Sequence, residues 1–272
     1  MNELLHSPFS GLTTPWHLGG IAIVLLIGYS LRILRWLTLS GAVAACLLGT
    51  WVVYHKGIVW LGPLAFFLAS GSILNKLARS SATDKKDGKP RDAIQVICNG
   101  LPYGVCAGPW PFTQGLLTEL GMVVSMAVAT SDTWSSAIGA AMRGPTWDIV
   151  RWVRVPPGLS GGISLAGTTA GAVGALALVC MAYFCDHGTE GWSLLVLVQL
   201  LQVAAFGVLG MGLDSLLGAL FQARYRDALG RLGDAGITLV SGRRWMTNDL
   251  VNLLSITIAT AIAMAWRANA FT

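Results

Sequence analysis

Long apolar segments recur along the whole chain, and their length is that of a membrane-crossing helix. The clearest segment, residues 192–220, contains the uninterrupted run LLVLV at 194–198. A bilayer hydrocarbon core about 30 Å thick needs roughly 20 apolar helical residues per crossing. Hydrophobic residues make up 54% of the sequence and charged residues only 11%, which is too apolar for the surface of a water-soluble protein. The sequence therefore predicts an integral membrane protein.

Eight segments are candidate membrane spans: residues 16–31, 37–54, 58–74, 93–110, 116–140, 162–184, 192–220 and 250–266. A transmembrane barrel would need strands of about ten residues with alternating polarity, which the run at 194–198 does not show. The first span is short and the fourth contains Pro102 and Pro109, so a short, broken or re-entrant helix is expected at each. The predicted fold is all-α and polytopic, with about seven or eight transmembrane helices in one membrane domain over residues 1–272.

Basic residues cluster in alternate loops, which sets the predicted orientation. Of the 18 Lys and Arg residues, only Lys56 and Arg267 lie outside if the N-terminus is placed outside. Because loops rich in Lys and Arg stay in the cytoplasm, we expect both termini outside and the three longest loops, about 75–92, 143–161 and 221–249, inside. None of these loops is long enough for a soluble domain. A cleavable signal peptide is not predicted, because the first nine residues contain Glu3 and no Lys or Arg.

Two aspartates lie inside apolar segments, both at the depth of the inner membrane face. Asp132, in VATSDTWSSAIG, lies about 24 Å from Leu116 along a helix that starts outside. Asp214, in GMGLDSLLGAL, lies about 33 Å from Trp192 by the same arithmetic. An ionisable residue within a span is costly and marks a candidate functional site, whereas interhelical packing rarely needs a full charge. For Gly167, Gly171 and Gly174, close helix packing is the preferred interpretation.

Further polar segments begin spans from the same inner side. They are RDAIQVICNG, SGGISLAGTTAG and TNDLVN. Asn248 and Asn252 are spaced i, i+4 and share a helix face, where they can orient a phosphate or bind a metal. The Gly161–Gly162 pair, which follows two prolines and precedes a helix, is expected to offer free backbone N–H groups to an anion.

Carboxylate, amide and hydroxyl oxygens beside Lys and Arg suit Mg²⁺ and polyphosphate, so these segments predict one phosphate-handling site. The candidate binding residues are Lys85, Lys86, Lys89, Arg91, Asp92, Gln95, Asn99, Ser131, Thr133, Ser135, Gly161, Gly162, Ser164 and Thr168. The candidate catalytic residues are Asp132, Asp214, Asn248 and Asn252, with the two aspartates as metal ligands.

Nucleophilic and zinc chemistry is disfavoured. All four histidines, His6, His17, His55 and His187, fall outside in this topology, so no Ser/His or Cys/His pair forms at the inner face. The five cysteines contain no C-x-x-C and are predicted core residues. The chain has neither a phosphate-binding G-x-x-x-x-G-K-[ST] loop nor an H-R-D catalytic loop. No nucleic acid partner is expected.

Five motifs, in this order, resemble the integral-membrane family that includes transmembrane protein 19 and plant phytyl-phosphate kinase. They are RDAIQVICNG, SDTWSSAIG, VPPGLSGGISLAGTTAG, LDSLLGALFQ and TNDLVNLLS, and the resemblance covers about residues 60–266. The family is distantly similar to CTP-using polyprenol kinases and lipid cytidylyltransferases, so the resemblance implies a nucleotide-dependent lipid phosphate enzyme. The family often has an acidic residue soon after the Asp-Thr-Trp, where this chain has Ala137. The partner of Asp132 is therefore expected to be Asp214.

The residues and the resemblance together predict a kinase that uses CTP, or another nucleotide, to convert an isoprenyl monophosphate to its diphosphate at the inner face. Mg²⁺ is the expected cofactor. The expected partners are membrane lipid, isoprenyl phosphate and nucleotide, and Arg91 with Lys85, Lys86 and Lys89 is expected to contact the nucleotide. A polyprenol kinase or lipid cytidylyltransferase, a transporter of an anionic solute, and a purely structural membrane protein remain open alternatives, as does the oligomeric state.

Overall fold

The computed structural model describes residues 15–80, 89–109, 116–189, 192–230, 232–234 and 236–269. In this part of the chain there are eight α-helices: α1 (Pro15–Ile33), α2 (Leu39–Lys56), α3 (Leu61–Ser80), α4 (Ala93–Ala107), α5 (Leu116–Met142), α6 (Leu165–His187), α7 (Leu194–Phe221) and α8 (Asn248–Asn269). A 3-10 turn, Ile58–Trp60, precedes α3. Each predicted span corresponds to one of these helices, which confirms the all-α prediction.

Successive helices run in alternating directions, so their first and last residues lie at two opposite ends of the bundle. Helices α1, α3, α5 and α7 finish where α2, α4, α6 and α8 begin, and we call this the basic end because most Lys and Arg residues lie there. The α1–α2 connection is joined to the start of α4 by a bridge between Leu37 and Arg91. At the opposite end, Lys56 Nζ donates to Thr118 Oγ1 at 2.9 Å.

Helix lengths differ markedly. Among the described helices, four stretches are long and apolar enough to cross a membrane: Ile58–Ala78, Leu165–His187, Leu194–Phe221 and Asn248–Asn269. Leu18–Ile33 and Ala93–Ala107 are apolar but shorter. The 15 residues of α4 extend only about 22 Å, less than a hydrocarbon core of about 30 Å. Helix α4 continues through Pro102, so the prediction of a broken helix at the fourth span is wrong.

Helix α5 lies at the centre of the bundle, covered by α3, α4, α6, α7 and α8. Between Met122 and Ser131, every side chain except Val123 is at most 1% exposed. Ser125 and Thr130 therefore face protein and not lipid. This position explains why the segment tolerates polar residues that would be costly against hydrocarbon.

Glycines let α6 and α7 approach the backbone of α5 closely. A Cβ atom on Gly171 would lie 2.9 Å from the Ser131 carbonyl oxygen, and one on Gly167 would lie 3.0 Å from the Ser135 carbonyl oxygen. On α7, a Cβ on Gly210 would meet the side chain of Val128 at 2.4 Å. These contacts confirm the packing role predicted for Gly167 and Gly171.

The connections at the basic end form two small antiparallel sheets, where the sequence predicts only loops. Between α5 and α6, β1 (Trp147–Asp148) pairs with β2 (Gly162–Ile163). Between α7 and α8, β3 (Arg224–Arg226) pairs with β4 (Leu232–Gly233) and with β5 (Thr238–Ser241). Strands of two to four residues are too short to show the alternation by which a strand is recognised in a sequence.

A buried ion pair joins the two sheets. Arg224 Nη1 lies 2.8 Å from Asp148 Oδ2, and the two side chains are 7% and 1% exposed. Arg224 Nη2 also donates to the Ser160 carbonyl oxygen at 2.6 Å. Burial raises the pKa of Asp148, but hydrogen bonds from the backbone of Arg151 and Val150 and from Arg224 outweigh burial and lower the pKa to about 2. The pair therefore fixes the segment that precedes α6 against the segment that follows α7.

We expect Gly210→Ala to destabilise the bundle, because the new methyl group would meet the branched side chain of Val128, which has little rotational freedom. Overpacking of this kind costs about 1–3 kcal/mol, so the thermal unfolding midpoint of the purified protein should fall. Gly212→Ala is the matched control on the same helix, since a Cβ there meets nothing within 4 Å and should leave the midpoint unchanged or higher. An equal decrease in both variants would contradict the packing role of Gly210.

The Asp148–Arg224 pair predicts a specific loss of stability in acid. Because the pKa of Asp148 is lowered from 3.8 to about 2, its carboxylate stabilises the folded protein fully above about pH 4 and loses this effect as the pH falls through about 2. The shift is worth on the order of 2 kcal/mol. The melting temperatures of the wild type and Asp148→Asn should therefore differ at neutral pH and converge toward about pH 2. A difference that stays constant over this range would count against the assignment.

Candidate functional site

A polar cavity of about 130 Å³ lies at the basic end, between the ends of α5 and α7 and the starts of α6 and α8. We call it the carboxylate cavity. It brings together seven predicted site residues: Asp132, Ser135, Gly161, Gly162, Ser164, Asp214 and Asn248. The rest of its lining comprises Ser136, Gly139, Ala140, Thr146, Gly158, Leu159, Ser160, Ser215 and Asp234.

Asp214 projects from α7 and is held by α8. Its side chain is nearly buried, and Ser255 Oγ donates to Oδ2 at 3.0 Å. The Asn252 amide lies between Asp214 and Asn99. In one orientation of this amide, Asn252 Nδ2 donates to Asp214 Oδ2 at 3.0 Å. In the reverse orientation, Asn252 Nδ2 donates to Asn99 Oδ1 at 3.4 Å. We assign the first orientation, because the bond is shorter and the acceptor is a carboxylate.

Asp132 faces the cavity from α5 together with Ser135, Ser136 and Gly139. The spacing i, i+3, i+4, i+7 places these four residues on one helix face. The intervening residues point elsewhere. Ser131 Oγ contacts Met211 Sδ at 3.4 Å, and Thr133 packs toward α3. Ser131 and Thr133 therefore do not line the carboxylate cavity, because helical geometry turns both away from it, and their role in orienting ligands stays a prediction.

The loop at 158–162 forms another wall of the cavity and lies directly on α7. Gly161 has a φ of +76°, and a Cβ there would lie 2.6 Å from the backbone of Ala219, so both conformation and space require glycine. The N–H of Gly162 donates to the Leu159 carbonyl oxygen at 2.9 Å. The free N–H group predicted at Gly162 is therefore not available to an anion.

Helix α6 begins at Leu165, three residues later than predicted. Ser164 is its N-cap, and the Ser164 hydroxyl accepts from the Gly167 N–H at 3.1 Å. Ser164 also lines the carboxylate cavity, so it links the helix start to the site. Thr168, one turn further, is exposed and does not line the cavity, contrary to its predicted place at the site.

Several predicted residues lie at the start of α4, outside the carboxylate cavity. Asp92 and Gln95 form a capping box: Asp92 Oδ1 accepts from the Gln95 N–H at 3.0 Å, and Gln95 Oε1 accepts from the Asp92 N–H at 3.3 Å. Asn99 Nδ2 donates to the Gln95 carbonyl oxygen at 2.8 Å, and Asn99 faces Asn252. These bonds give the three side chains structural roles, and their contact with a substrate stays a prediction.

The predicted basic residues line a different cavity. Lys89 and Arg91 border a second, polar cavity of about 410 Å³, which we call the cationic cavity because Arg35 and Lys76 also line it. Its position is separate from the carboxylate cavity, and Lys89 and Arg91 do not contact that first site. The remaining predicted residues, Lys85 and Lys86, lie outside the described part of the chain.

Two residues at or beside the carboxylate cavity, Ser255 and Asp234, were not predicted from the sequence. Ser255, which donates to Asp214, follows Asn252 by three residues on the same helix face, so helical spacing was a usable signal. Asp234 directly follows β4 and lines the carboxylate cavity. Nothing in the local sequence marks Asp234, because its place at the cavity results from strand pairing.

The donors that face the carboxylate cavity suit a hard divalent cation. They are carboxylate, hydroxyl and amide groups, and the described lining contains no Lys, Arg, His or Cys. No group of three His, Cys, Asp or Glu side chains close enough to bind a metal occurs among the described residues. A cation here would be held by Asp132 and Asp214, with water or phosphate oxygens completing its shell, which is the usual environment of Mg²⁺.

Comparison with known proteins agrees with the membrane fold. The family described as Integral membrane protein DUF92 matches residues 22–260. Protein VTE6, chloroplastic, of Arabidopsis thaliana is 30% identical over 84% of this chain, and the chain spans about 64% of the length of VTE6. Protein PGR of Arabidopsis thaliana is 26% identical, with 82% of this chain and 86% of PGR covered. Uncharacterized membrane protein sll0875 of Synechocystis sp. is 28% identical, with 80% and 79% covered.

No solved structure matches the chain. The match to the family covers most of the helical bundle, including α5, α6 and α7 and the carboxylate cavity between them. It confirms both the predicted membrane class and the family resemblance of the motifs. The chain is an integral membrane protein and belongs to the DUF92 family.

Proposed function

We propose that the chain is a membrane kinase that transfers the terminal phosphoryl group of CTP, or of another nucleoside triphosphate, to an isoprenyl monophosphate of the phytyl type. The carboxylate cavity is the proposed reaction site. One observation carries the proposal: Asp132 and Asp214 face the same polar cavity, and its described lining contains no basic side chain. The motif resemblance supports the substrate class, since that family includes plant phytyl-phosphate kinase.

Uncompensated negative charge inside a helical bundle calls for a cation. Two carboxylates that share a poorly solvated site repel each other, and a buried charge without a partner is costly. Hydrogen bonds from Ser255 and Asn252 offset part of this cost for Asp214. We take Mg²⁺ as the cofactor, held by Asp132 and Asp214, and when bound it would neutralise charge on the transferring phosphoryl group.

The reaction requires no strong base at this site. An oxygen of the acceptor monophosphate bonds to the terminal phosphorus of the nucleotide while the bond from that phosphorus to its bridging oxygen breaks. The products are the prenyl diphosphate and the nucleoside diphosphate. Because the acceptor is already an anion, no proton has to be removed, which agrees with a described lining that holds no histidine. Phosphoryl transfer passes through a loose transition state, and its catalysis depends mainly on positioning and charge neutralisation.

The size of the carboxylate cavity suits phosphate groups better than a whole nucleotide. Pockets for drug-sized ligands measure about 300–1,000 Å³, and this cavity measures about 130 Å³. The base and ribose would therefore remain outside it. Ser135, Ser164 and Asn248 line the wall and are available to orient the phosphates.

The proposal is tested by product identification. Purified protein is incubated with Mg²⁺, nucleoside triphosphates labelled in the terminal phosphate, and either farnesyl, geranylgeranyl and phytyl monophosphates or the matching alcohols. Labelled diphosphate formed only from the monophosphates is the expected result. A labelled monophosphate made from an alcohol would indicate a polyprenol kinase. A CDP-lipid, which is detected by its mass because the terminal label leaves in pyrophosphate, would indicate a cytidylyltransferase, and solute uptake into vesicles without any lipid product would indicate a transporter.

Asp132→Asn and Asp214→Asn should each insert and fold normally but lose activity by about a hundredfold or more, because both keep size and polarity while removing charge that a divalent cation needs. Initial rates of diphosphate formation over a range of Mg²⁺ concentrations provide the measurement. Asp186→Asn is the matched control, since Asp186 is exposed near the end of α6 at the opposite end of the bundle. Near-normal turnover of either active-site variant at low Mg²⁺ would show that its aspartate serves only in packing.

The basic end is proposed to face the cytoplasm, with both termini outside, because loops rich in Lys and Arg remain inside. Single cysteines at exposed positions 189 and 244 test this orientation in intact cells. An impermeant maleimide should label Thr189→Cys and leave Arg244→Cys unlabelled until the cells are opened. The wild type supplies the background from its five native cysteines. The reverse labelling pattern would invert the topology and separate the site from cytoplasmic nucleotide.

A further inference from the structure

An apolar cavity of about 170 Å³ lies within the bundle between α1, α2, α3 and α4. Val24 and Leu31 of α1 face it from one side, and Leu61 and Leu68 of α3 face it from the other. These residues extend over about two helical turns, so the cavity runs roughly 10 Å along the bundle. Its described lining is apolar except at the basic end, where Arg91 and Gln95 enter.

The apolar cavity adjoins the cationic cavity, and Arg91 and Gln95 line both. The guanidinium of Arg91 stacks over the ring of Phe67, with 4.8 Å between its central carbon and the ring centroid. Arg35, Lys76 and Lys89 lie beyond it in the cationic cavity. The two cavities thus form one amphipathic site, with a hydrocarbon-lined part inside the membrane and a positively charged part at its surface.

This amphipathic site lies next to α5 and to the carboxylate cavity. Arg91 Nη2 and Thr133 Cγ2 lie 2.6 Å and 2.9 Å from the point that a Cβ on Gly71 would occupy, so Arg91 reaches the residue that follows Asp132. On α4, Asn99 stands one turn beyond Gln95 and faces Asn252, which bonds to Asp214. The cationic cavity and the carboxylate cavity therefore lie on neighbouring sides of the end of α5.

We propose that this amphipathic site is the docking site of the acceptor, a single-chain prenyl monophosphate, with its first isoprene unit in the apolar cavity and its phosphate in the cationic cavity, from which the phosphate passes around the end of α5 to the carboxylate cavity for transfer. The inference rests on the proposed kinase function and assigns that function its lipid site. Charge complementarity favours this occupant, because a phosphate monoester carries up to two negative charges and four basic residues line the cationic cavity. The order of the two cavities also matches an amphiphile whose tail lies in the bilayer and whose charge lies at its surface.

The cavity volume limits how much of the tail is enclosed. A cavity of about 150 Å³ holds benzene, so about 170 Å³ has room for roughly six carbon atoms, or little more than one isoprene unit. The rest of the tail must leave toward lipid. Helix α1 packs mainly on α2, and it faces α3 across the cavity, so the gap between α1 and α3 is the exit. The enzyme should therefore discriminate weakly between prenyl chains longer than about two units.

Binding is measured on the purified full-length chain in nanodiscs without nucleotide or Mg²⁺, so that it is independent of turnover. The probe is farnesyl monophosphate with a diazirine in its first isoprene unit. Irradiation should label peptides of the four helices that line the apolar cavity, including residues 24–31 of α1 and 61–69 of α3, and unlabelled farnesyl or geranylgeranyl monophosphate should compete equally. Farnesol, inorganic phosphate and phosphatidic acid should compete poorly. Equal competition by farnesol or by phosphatidic acid would overturn the proposal, as would labelling of α6 or α7.

Two variants test the two parts of the amphipathic site. Ala69→Leu places a larger side chain in the apolar cavity, and Lys89→Gln removes a charge from the cationic cavity. Each should raise the KM for farnesyl monophosphate about tenfold, with a smaller effect on kcat and none on the KM for nucleotide. Ala205→Leu, exposed on α7, and Arg244→Gln, exposed after β5, are the matched controls and should leave both KM values unchanged.

The two proposals fail in different ways. If the wild type binds the probe at α1 and α3 but forms no diphosphate with any nucleotide, the kinase proposal fails and the lipid phosphate site remains. If diphosphate forms while Ala69→Leu and Lys89→Gln keep normal KM values, the kinase proposal remains and this lipid site is wrong. Asp132→Asn should separate the two functions, because it should retain probe binding while losing turnover.

Discussion

The close approach of α6 and α7 to α5 is the contact on which the rest of the bundle depends. Gly167 and Gly171 let α6 lie against carbonyl oxygens of α5, and Gly210 does the same for α7 against Val128. This packing screens α5 from lipid, so the helix can carry polar residues along its length. It also sets the distance between the end of α5 and the end of α7, and hence the narrow space that Asp132 and Asp214 share. Larger residues at these glycines would separate the helices and widen that space.

Much of the fold was predictable from the sequence because the bilayer imposes a length on each crossing. The eight apolar segments correspond to helices, and the positions of Asp132 and Asp214 toward the basic ends of α5 and α7 followed from the helical rise. The direction in which each side chain of α5 points could not be predicted from the sequence. Helix α5 is covered nearly all round, so its sequence has no apolar face from which to infer its rotation, and the predicted site included Ser131 and Thr133, which do not line the carboxylate cavity. The contribution of Asp234 depends on pairing between strands too short to recognise.

Helix α5 also separates two kinds of charge. The acidic residues of the carboxylate cavity lie on the side of α6, α7 and α8, whereas the basic residues of the cationic cavity lie on the side of α1, α3 and α4. If Arg91 lay in the carboxylate cavity, it would form ion pairs with the aspartates and exclude a divalent cation. Because the two charges lie on different faces of one helix, the acidic and basic side chains of the two cavities do not form ion pairs with each other. Asp148 and Arg224 line neither cavity, since their charges are paired with each other within the loop sheets.

The shortness of α4 has a consequence for the surrounding bilayer. Its exposed apolar residues, Ile94, Ile97, Leu101 and Val105, form a stripe only about 17 Å long. A hydrocarbon layer of about 30 Å is thicker than this stripe is long, and such a mismatch is accommodated by local thinning of the bilayer, by snorkelling of flanking side chains or by oligomerisation. Where the bilayer thins, lipid headgroups are drawn inward next to α4. The thickness of the surrounding bilayer thus becomes part of the environment in which this protein works.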